Sequence, residues 1–465
     1  MATAYIERGS ESSPTSEQVF SFSAWVKLGD GGAASGRDMI FCQTRDGVTT
    51  DFLGFYIKET TRALHLECVS GSTTIIDLVT TQVFRDPGAW YNLAFNINMA
   101  DSTTDDRAQI FVNGTRVTEL DTNSIGATQN INCMDDNASN RTRIGAGDTG
   151  NTGVVYYYDG DMSHVHFVDG VAYAGSNWGS TDSTSGIWKI DPEPTVSSYG
   201  NRGFFLKMED RTNLDLDSSP NATTLTTSGT LTATYDNPSN NFATLNPLNQ
   251  PTATKVVFSN GNNTAVSQNA GSSYFGGTST LGMVGGKWYA EFKASNLGGG
   301  GMVGINGMPG EQARQNKQVG YTTSGFAYVS DGNKYTNLTP SAYGNSYTTA
   351  NVIGVAVDLD NLKIYFAKDN TWQDSGDPTS GATGTGAAFT ILAASATPYG
   401  HYAFSCSDDS SASSTWDVNF GNGYFGTTAV TSAEADGAGI GAFEFAPPTG
   451  YYALCTKNIK AYGGA

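Results

Sequence analysis

At 465 residues the chain is long enough for two or three domains, each with its own core. Lysine and arginine total 25 against 44 acidic side chains, a formal net charge of -19, a field that repels nucleic acid and anionic membrane and removes both from the expected partners. With 56 glycines, and with no sustained 3.6-residue apolar period or any approach to the roughly 20 apolar residues of a membrane span, the composition suits short strands and polar turns.

The opening MATAYIERGSESS carries charges where a signal peptide carries an apolar core, so classical secretion is not expected. From Ala4 to about Pro247, apolar–polar alternation recurs at 20–27, 39–42, 52–58, 64–69, 75–79, 90–99, 108–112, 141–145, 155–158, 162–168 and 203–207. Residues 236–250, DNPSNNFATLNPLNQ, hold two prolines and five asparagines and read as an irregular linker. From Thr252 the alternation resumes at 288–293, 302–305, 325–329, 352–357, 362–367, 398–406 and 416–420. The small-residue run TTAVTSAEADGAGIGA and the terminal FEFAPPTGYYALCTKNIKAYGGA then read as an extended segment laid on the domain or on a neighbour.

One pattern occurs twice. WYNLAFNINMADSTTDDRAQIFVNGTRV alternates at Leu93, Phe95, Ile97 and Met99, passes an acidic turn, and alternates again at Ile110 and Val112. VIGVAVDLDNLKIYFAKDNTW does the same at Ile353, Val355, Val357 and Leu359, then at Leu362, Ile364 and Phe366. Period-two alternation places one face on a core and the other in solvent. The expected architecture is all-β: two tandem antiparallel β-sandwich domains, 1–247 and 252–430, with a C-terminal segment 431–465.

Cys42, Cys68, Cys133, Cys406 and Cys455 are odd in number and lack C-x-x-C spacing, against a disulfide framework or zinc site; Cys42 and Cys68 sit in apolar strand-like runs and are expected as small buried hydrophobes, which suits a chain that folds in a reducing cytoplasm. His164 and His166 form H-x-H on a strand with Asp161 nearby; a metal site needs three or four ligands, so structural strand histidines are expected. The glycine-rich GGTSTLGMVGG and ASNLGGGGMVGING belong to β-turns rather than to a phosphate-cradling helix start. Tyr156-Tyr157-Tyr158 cannot all point inward from a one-sided strand, so at least one ring should face out.

FSFSAWVKLGD, WYNLAFNINMA, RAQIFVNGTRV and YYYDGDMSHVHFVDGVAY resemble a laminin-G or concanavalin A-type lectin domain. KWYAEFKASN, the second hairpin and TWDVNFGNGYFG resemble a SPRY-type domain of the same sandwich superfamily. The ordered series VHFVDGVAY, GIWKIDPEP, YGNRGFFL, NNFATLNPL and PPTGYYALCTKNI is similar to strings that recur in laminin-G-like structural proteins of tailed bacteriophages. The resemblance implies concanavalin A-like jelly rolls and a virion surface protein, as a tail fibre, receptor-binding tip, head fibre or capsid decoration. It implies assembly in the bacterial host cytoplasm, contacts with other phage virion proteins, host-surface glycan as ligand and a homo-oligomer, a trimer if a fibre.

Concanavalin A-type glycosidases carry E-x-D-x-(x)-E on a strand. Glu119-Leu120-Asp121 and Glu434-Ala435-Asp436 supply only its first half, so no enzyme and no catalytic residue is expected. No cofactor is expected beyond a calcium ion, which laminin-G resemblance implies at a loop edge and for which Asp101, Asp105 and Asp106 are the candidates. SPRY resemblance puts binding loops near NKYTNLTPSAYGNSYTT, and aromatic faces stack on sugar rings. Tyr156, Tyr158, Tyr335, Tyr343, Tyr347 and Trp372 are therefore the expected ligand-binding residues.

Overall fold

The structure is a computed structural model that describes residues 3–9, 12–30, 36–148, 153–249, 256–267, 276–298, 300–309, 317–408 and 413–464. Contacts divide the chain into two compact units, Met1–Ala233 and Thr234–Ala465.

In the first unit an eight-stranded antiparallel sheet runs in the order Leu120–Ile125, Thr73–Val83, Ala63–Ser70, Phe52–Lys58, Arg37–Arg45, Asn140–Ile144, Tyr5–Arg8, Thr226–Ser228. A six-stranded sheet runs Phe204–Leu206, Gly160–Asp169, Val19–Leu28, Trp90–Asn98, Ala108–Val112, Thr115–Arg116. Alternation turns Phe20, Phe22, Ala24, Val26 and Leu28 into the shared core, where Phe22 meets Phe41 at 4.7 Å and Phe95 at 5.5 Å between ring centroids. Each such ring contributes roughly 1.5–3 kcal/mol by burial alone. The outer face of the six-stranded sheet is also covered: Ala94, Phe111, Val168 and Phe205 pack against Trp178 and Tyr199 of the segment that follows it. The outer face of the eight-stranded sheet carries partly exposed charged side chains, Arg37, Glu67 and Asp77 among them.

The second unit repeats the plan. One sheet carries Val256–Ser259, Thr264–Ser267, Ser414–Asn419, Lys287–Leu297, Val352–Asp358, Lys363–Lys368 and Thr371–Trp372, with Phe389–Thr390 and Tyr452–Ala453 paired to it; the other runs Gly276–Thr278, Ala403–Asp408, Gly301–Asn306, Gly325–Val329, Asn333–Thr336, Thr339–Ala342. Among the described residues one α-helix occurs, Thr456–Tyr462.

Both copies of the repeated pattern are hairpins, pairing Leu93 with Val112 and Phe95 with Ile110, and Val355 with Phe366 and Val357 with Ile364. Each continues through a two-residue turn at positive φ, Asn113-Gly114 (48° and 76°) and Asp369-Asn370 (45° and 66°), into a short third strand. Both turns have the handedness that matches strand twist.

Two expectations are corrected. The stretch read as a linker belongs to the second unit: Phe242, Ala243 and Leu245 are fully buried there, and Phe242 bridges to Cys455. Its asparagines are structural, since Asn240 Oδ1 accepts the Lys457 N–H at 3.1 Å. The compact division thus falls before Thr234, and Thr252, the expected start of the second domain, lies outside the described residues. Residues 155–158 form no strand, because Tyr156 at φ 55° turns the run out of extended geometry; only a Val155–Gly147 bridge remains.

Candidate ligand-binding face

The outer face of the eight-stranded sheet is built by register. Pairings align Arg143 with Cys42, Cys42 with Gly54, Gly54 with Glu67, Glu67 with Asp77 and Asp77 with Ser124, one row across six strands. The adjacent row joins Met39, Tyr56, His65, Val79 and Thr122. Gly54 is required in its row: a Cβ there would sit 2.3 Å from the Phe52 ring, which lies over it.

Arg37 is the centre of this face. Its guanidinium carbon stands 4.6 Å from the Tyr56 ring centroid, 5.3 Å from Tyr156 and 5.6 Å from Phe52, a cage of three aromatic faces. Its Nη1 pairs with Glu67 Oε2 at 3.2 Å, and the Tyr56 hydroxyl donates to the same oxygen at 2.9 Å. The side chains of Arg37 and Glu67 remain 26% and 24% exposed, although Arg37 Nη1 itself is buried under the rings. His65 stacks on Tyr56 at 4.9 Å and 15°, is buried, and is pushed down to about 4 by that burial, so the ring is neutral near pH 7. The half-buried Asp77 carboxyl is raised, first by burial and then by Glu67 opposite it. The face therefore presents fixed polar groups to solvent, while the Phe52 and Tyr56 rings that hold them are buried and Tyr156 is half-buried.

Of the expected ligand residues, only Tyr156 lands here. Tyr158 is buried, its hydroxyl donating to the Lys27 carbonyl at 2.8 Å. In the second unit Tyr343 and Tyr347 are core residues rather than loop platforms. Tyr347 packs 5.1 Å from Tyr328, and its hydroxyl donates to the Gly301 carbonyl at 2.8 Å; the Tyr343 hydroxyl reaches the Gly386 carbonyl at 3.4 Å. A polar stretch hid this, because a tyrosine can bury its ring and still find a main-chain acceptor. Tyr335 is half-buried against Met302, Val319 and Ala327, and Trp372 lies edge-on to Tyr289 at 6.5 Å.

The acidic turn is a set of local caps. Asp101 Oδ1 accepts the Thr103 N–H at 2.8 Å, and Asp106 Oδ1 accepts from Gln109 at 2.9 Å and Arg116 at 2.7 Å. Arg116 also donates to the Asp105 carbonyl at 2.6 Å. Among the described residues no three His, Cys, Asp or Glu side chains converge as a metal set. His166 stacks on Phe205 at 3.9 Å and bonds the Tyr199 hydroxyl at 3.0 Å, while His164 sits at φ 49° in a β-bulge beside Ser163. Asp436 is buried and accepts main-chain N–H groups of Ile440 and Ala453, both at 2.8 Å, and the Asn458 amide at 2.7 Å. All five cysteines are buried free thiols.

Sequence reasoning missed Arg37, Phe52, His65, Glu67 and Asp77. The signal was present in FLGFYIK and ALHLECVS, where aromatic and charged residues fill the positions opposite the apolar ones.

A family model described as the concanavalin A-like lectin/glucanases superfamily matches residues 2–175, and the SPRY domain model matches residues 287–399. Among solved structures, the SPRY domain of human HERC1 is similar at 15% identity over 33% of this chain and 86% of that one, with a TM-score of 0.25. A human SPRY domain is similar at 13% identity over 35% and 94%, TM-score 0.25, and stonustoxin at 16% over 38% and 27%, TM-score 0.27. No curated protein sequence matches the chain.

Proposed function

We propose that this chain is a non-catalytic binding protein of a bacteriophage particle surface, a tail or head fibre that attaches to host-surface glycan. The observation that carries the binding reading is the Arg37 cage: a guanidinium held by three rings, beside Glu67 and Asp77, on a sheet face with solvent access. Sugar hydroxyls need donors and acceptors together, and a pre-oriented arginine supplies the donors with little ordering cost. Two family matches, successive along the chain and both of binding-associated classes, agree with it. The virion assignment rests on the ordered strings shared with phage structural proteins, and so do assembly in the host cytoplasm and a homo-oligomer, which would multiply weak single sites. Calcium is not required in this reading. Asp436, in one of the two half-motifs weighed for glycoside hydrolysis, has its carboxylate occupied by main-chain and amide donors.

One observation favours a second reading for the latter half of the chain. With Tyr343 and Tyr347 in the core, the second unit loses its expected sugar-facing rings and suits packing on other virion proteins, as in a capsid decoration.

The test is binding of the full chain to an array of bacterial surface polysaccharides, with immunogold labelling of particles by antibody to the chain. Wild type is expected to bind, Arg37→Ala to lose about tenfold or more in affinity, and gold to decorate virions. Unchanged binding by Arg37→Ala would remove the cage from the function, and unlabelled particles would remove the virion assignment.

A further inference from the structure

We propose that the edge strand Leu120–Ile125 pairs antiparallel with the same strand of a second copy of this chain, about a two-fold axis at Asn123, so that the two eight-stranded sheets run on as one. This rests on the homo-oligomer reading and on neither the glycan nor the virion assignment. An open sheet edge is a template for a further strand, and proteins guard it with short length, lysine, proline or a bulge. Among the described residues every other edge strand has four residues or fewer, and this one has six. Its sequence, LDTNSI, has no lysine and no proline, and its bulge lies at Asp121, guarding one end only. Asp121, Asn123 and Ser124 are exposed.

Register fixes which main-chain groups are open. Gly126 donates its N–H to the Ile75 carbonyl at 2.7 Å, and Ile125 lies opposite Ile76, so Thr122 and Ser124 turn their main-chain groups to Thr73–Val83. Asn123 and Ile125 turn theirs to the other side, where no described residue meets them. A two-fold axis at Asn123 sets that residue opposite itself and Asp121 opposite Ile125, so no carboxylate faces a carboxylate. A largely apolar groove of about 510 Å3, lined by Thr81, Gln82, Val112, Val117 and Thr118, opens beside the start of the strand. The same register carries residues 126–128 of the second copy along that groove, which is why a second copy fits this edge. With the axis normal to the sheet, both outer faces lie on one side and the two Arg37 centres stand roughly 40 Å apart at about 4.8 Å per strand. A polymeric ligand spanning both would gain in avidity.

The experiment is sedimentation equilibrium of the full chain. One strand pairing buries less than a standard interface, so a dissociation constant on the order of micromolar is expected. Two chains of net charge -19 repel, so raising the salt from low to physiological should tighten the pairing. Asn123→Pro removes one outward N–H per copy and leaves the ladder to Thr73–Val83 in place. It should weaken pairing about tenfold or more, with the fold unchanged by circular dichroism. Asn123→Lys alone and Asn123→Asp alone set like charges opposite each other and should be monomeric; mixed, the two should pair again. That rescue requires position 123 of one copy to face position 123 of the other, which no loss of fold can mimic. A wild type that stays monomeric overturns both this pairing and the homo-oligomer reading. An oligomer that Asn123→Pro and Asn123→Lys leave unchanged, or a mixture that fails to pair, overturns the edge pairing alone.

Discussion

Glu291 accepts the main-chain N–H of Phe445 at 2.8 Å, across 154 residues of chain. The same carboxylate accepts the Glu444 N–H at 2.8 Å, the Asn419 amide at 3.3 Å and the Tyr289 hydroxyl at 3.2 Å, and it is fully buried. A carboxyl side chain in the middle of an apolar strand thus ties the C-terminal segment to the second sandwich. Burial raises its pKa to about 8 against the pull of those four donors.

Linkage sets the sign of the first prediction. A carboxyl raised from 4.5 to about 8 contributes stability that is fully present below 4.5 and lost as pH rises through 8. Asp38 in the first unit, raised by burial to about 7, acts in the same sense. Glu291→Gln should flatten the pH dependence of second-unit melting across that window. It should also lower stability by about 1–3 kcal/mol, because an amide NH2 then faces a main-chain N–H. Thermal unfolding on either side of the window measures both effects; an unaltered pH profile would contradict them.

Tyr347 and Tyr343 give the second. Truncating a buried aromatic ring costs about 3–5 kcal/mol, and a domain holds only about 5–15 in total. Tyr343→Ala with Tyr347→Ala is therefore expected to unfold the second unit rather than to weaken ligand binding alone. Tyr347→Phe keeps the ring and loses the bonds to Gly301 and Tyr328, an expected loss of about 1–2 kcal/mol by chemical denaturation.

In the first unit, burial depresses His65 and His164 to about 4 from an ordinary 6.5. The unfolded chain takes up these protons first, so stability present above 6.5 is lost as pH falls toward 4. His65→Phe, which keeps the stack on Tyr56, should move the acid-unfolding midpoint downward, read by near-ultraviolet circular dichroism. A midpoint that stays in place would show that His65 is not among the groups driving acid unfolding.

Calcium is the fourth. With Asp106 paired to Arg116 and Asp101 capping Thr103, the melting temperature should be the same in calcium and in chelator. A rise of several degrees in calcium would return the acidic turn to the list of sites.

The hairpins, the β class and the burial of Cys42 and Cys68 were legible in the sequence because each depends on local pattern. Leu93, Phe95 and Ile97 alternate whichever strand lies beside them, and Asn113-Gly114 makes its turn wherever it occurs. The tyrosines were not legible in this way. Tyr347 stands in a polar stretch and Tyr156 in a run of valines and tyrosines, yet the first ring is in the core and the second over Arg37. Asn240 and Phe242 sat in a stretch with every local mark of a linker, and their burial depends on residues more than 200 positions away.

Composition and periodicity by themselves determined that this chain makes strands, that the strands have one apolar face, and that its surface is acidic. Those properties are set by side-chain alternation and summed charge, which need no knowledge of neighbours. Only the tertiary structure decided which strands lie side by side. That choice brings Glu67 opposite Asp77, cages Arg37 with rings from Phe52, Tyr56 and Tyr156, and closes Glu291 over the terminal segment. Each of these depends on register between segments far apart in sequence, and a shift of one residue would turn the same side chains to the opposite face.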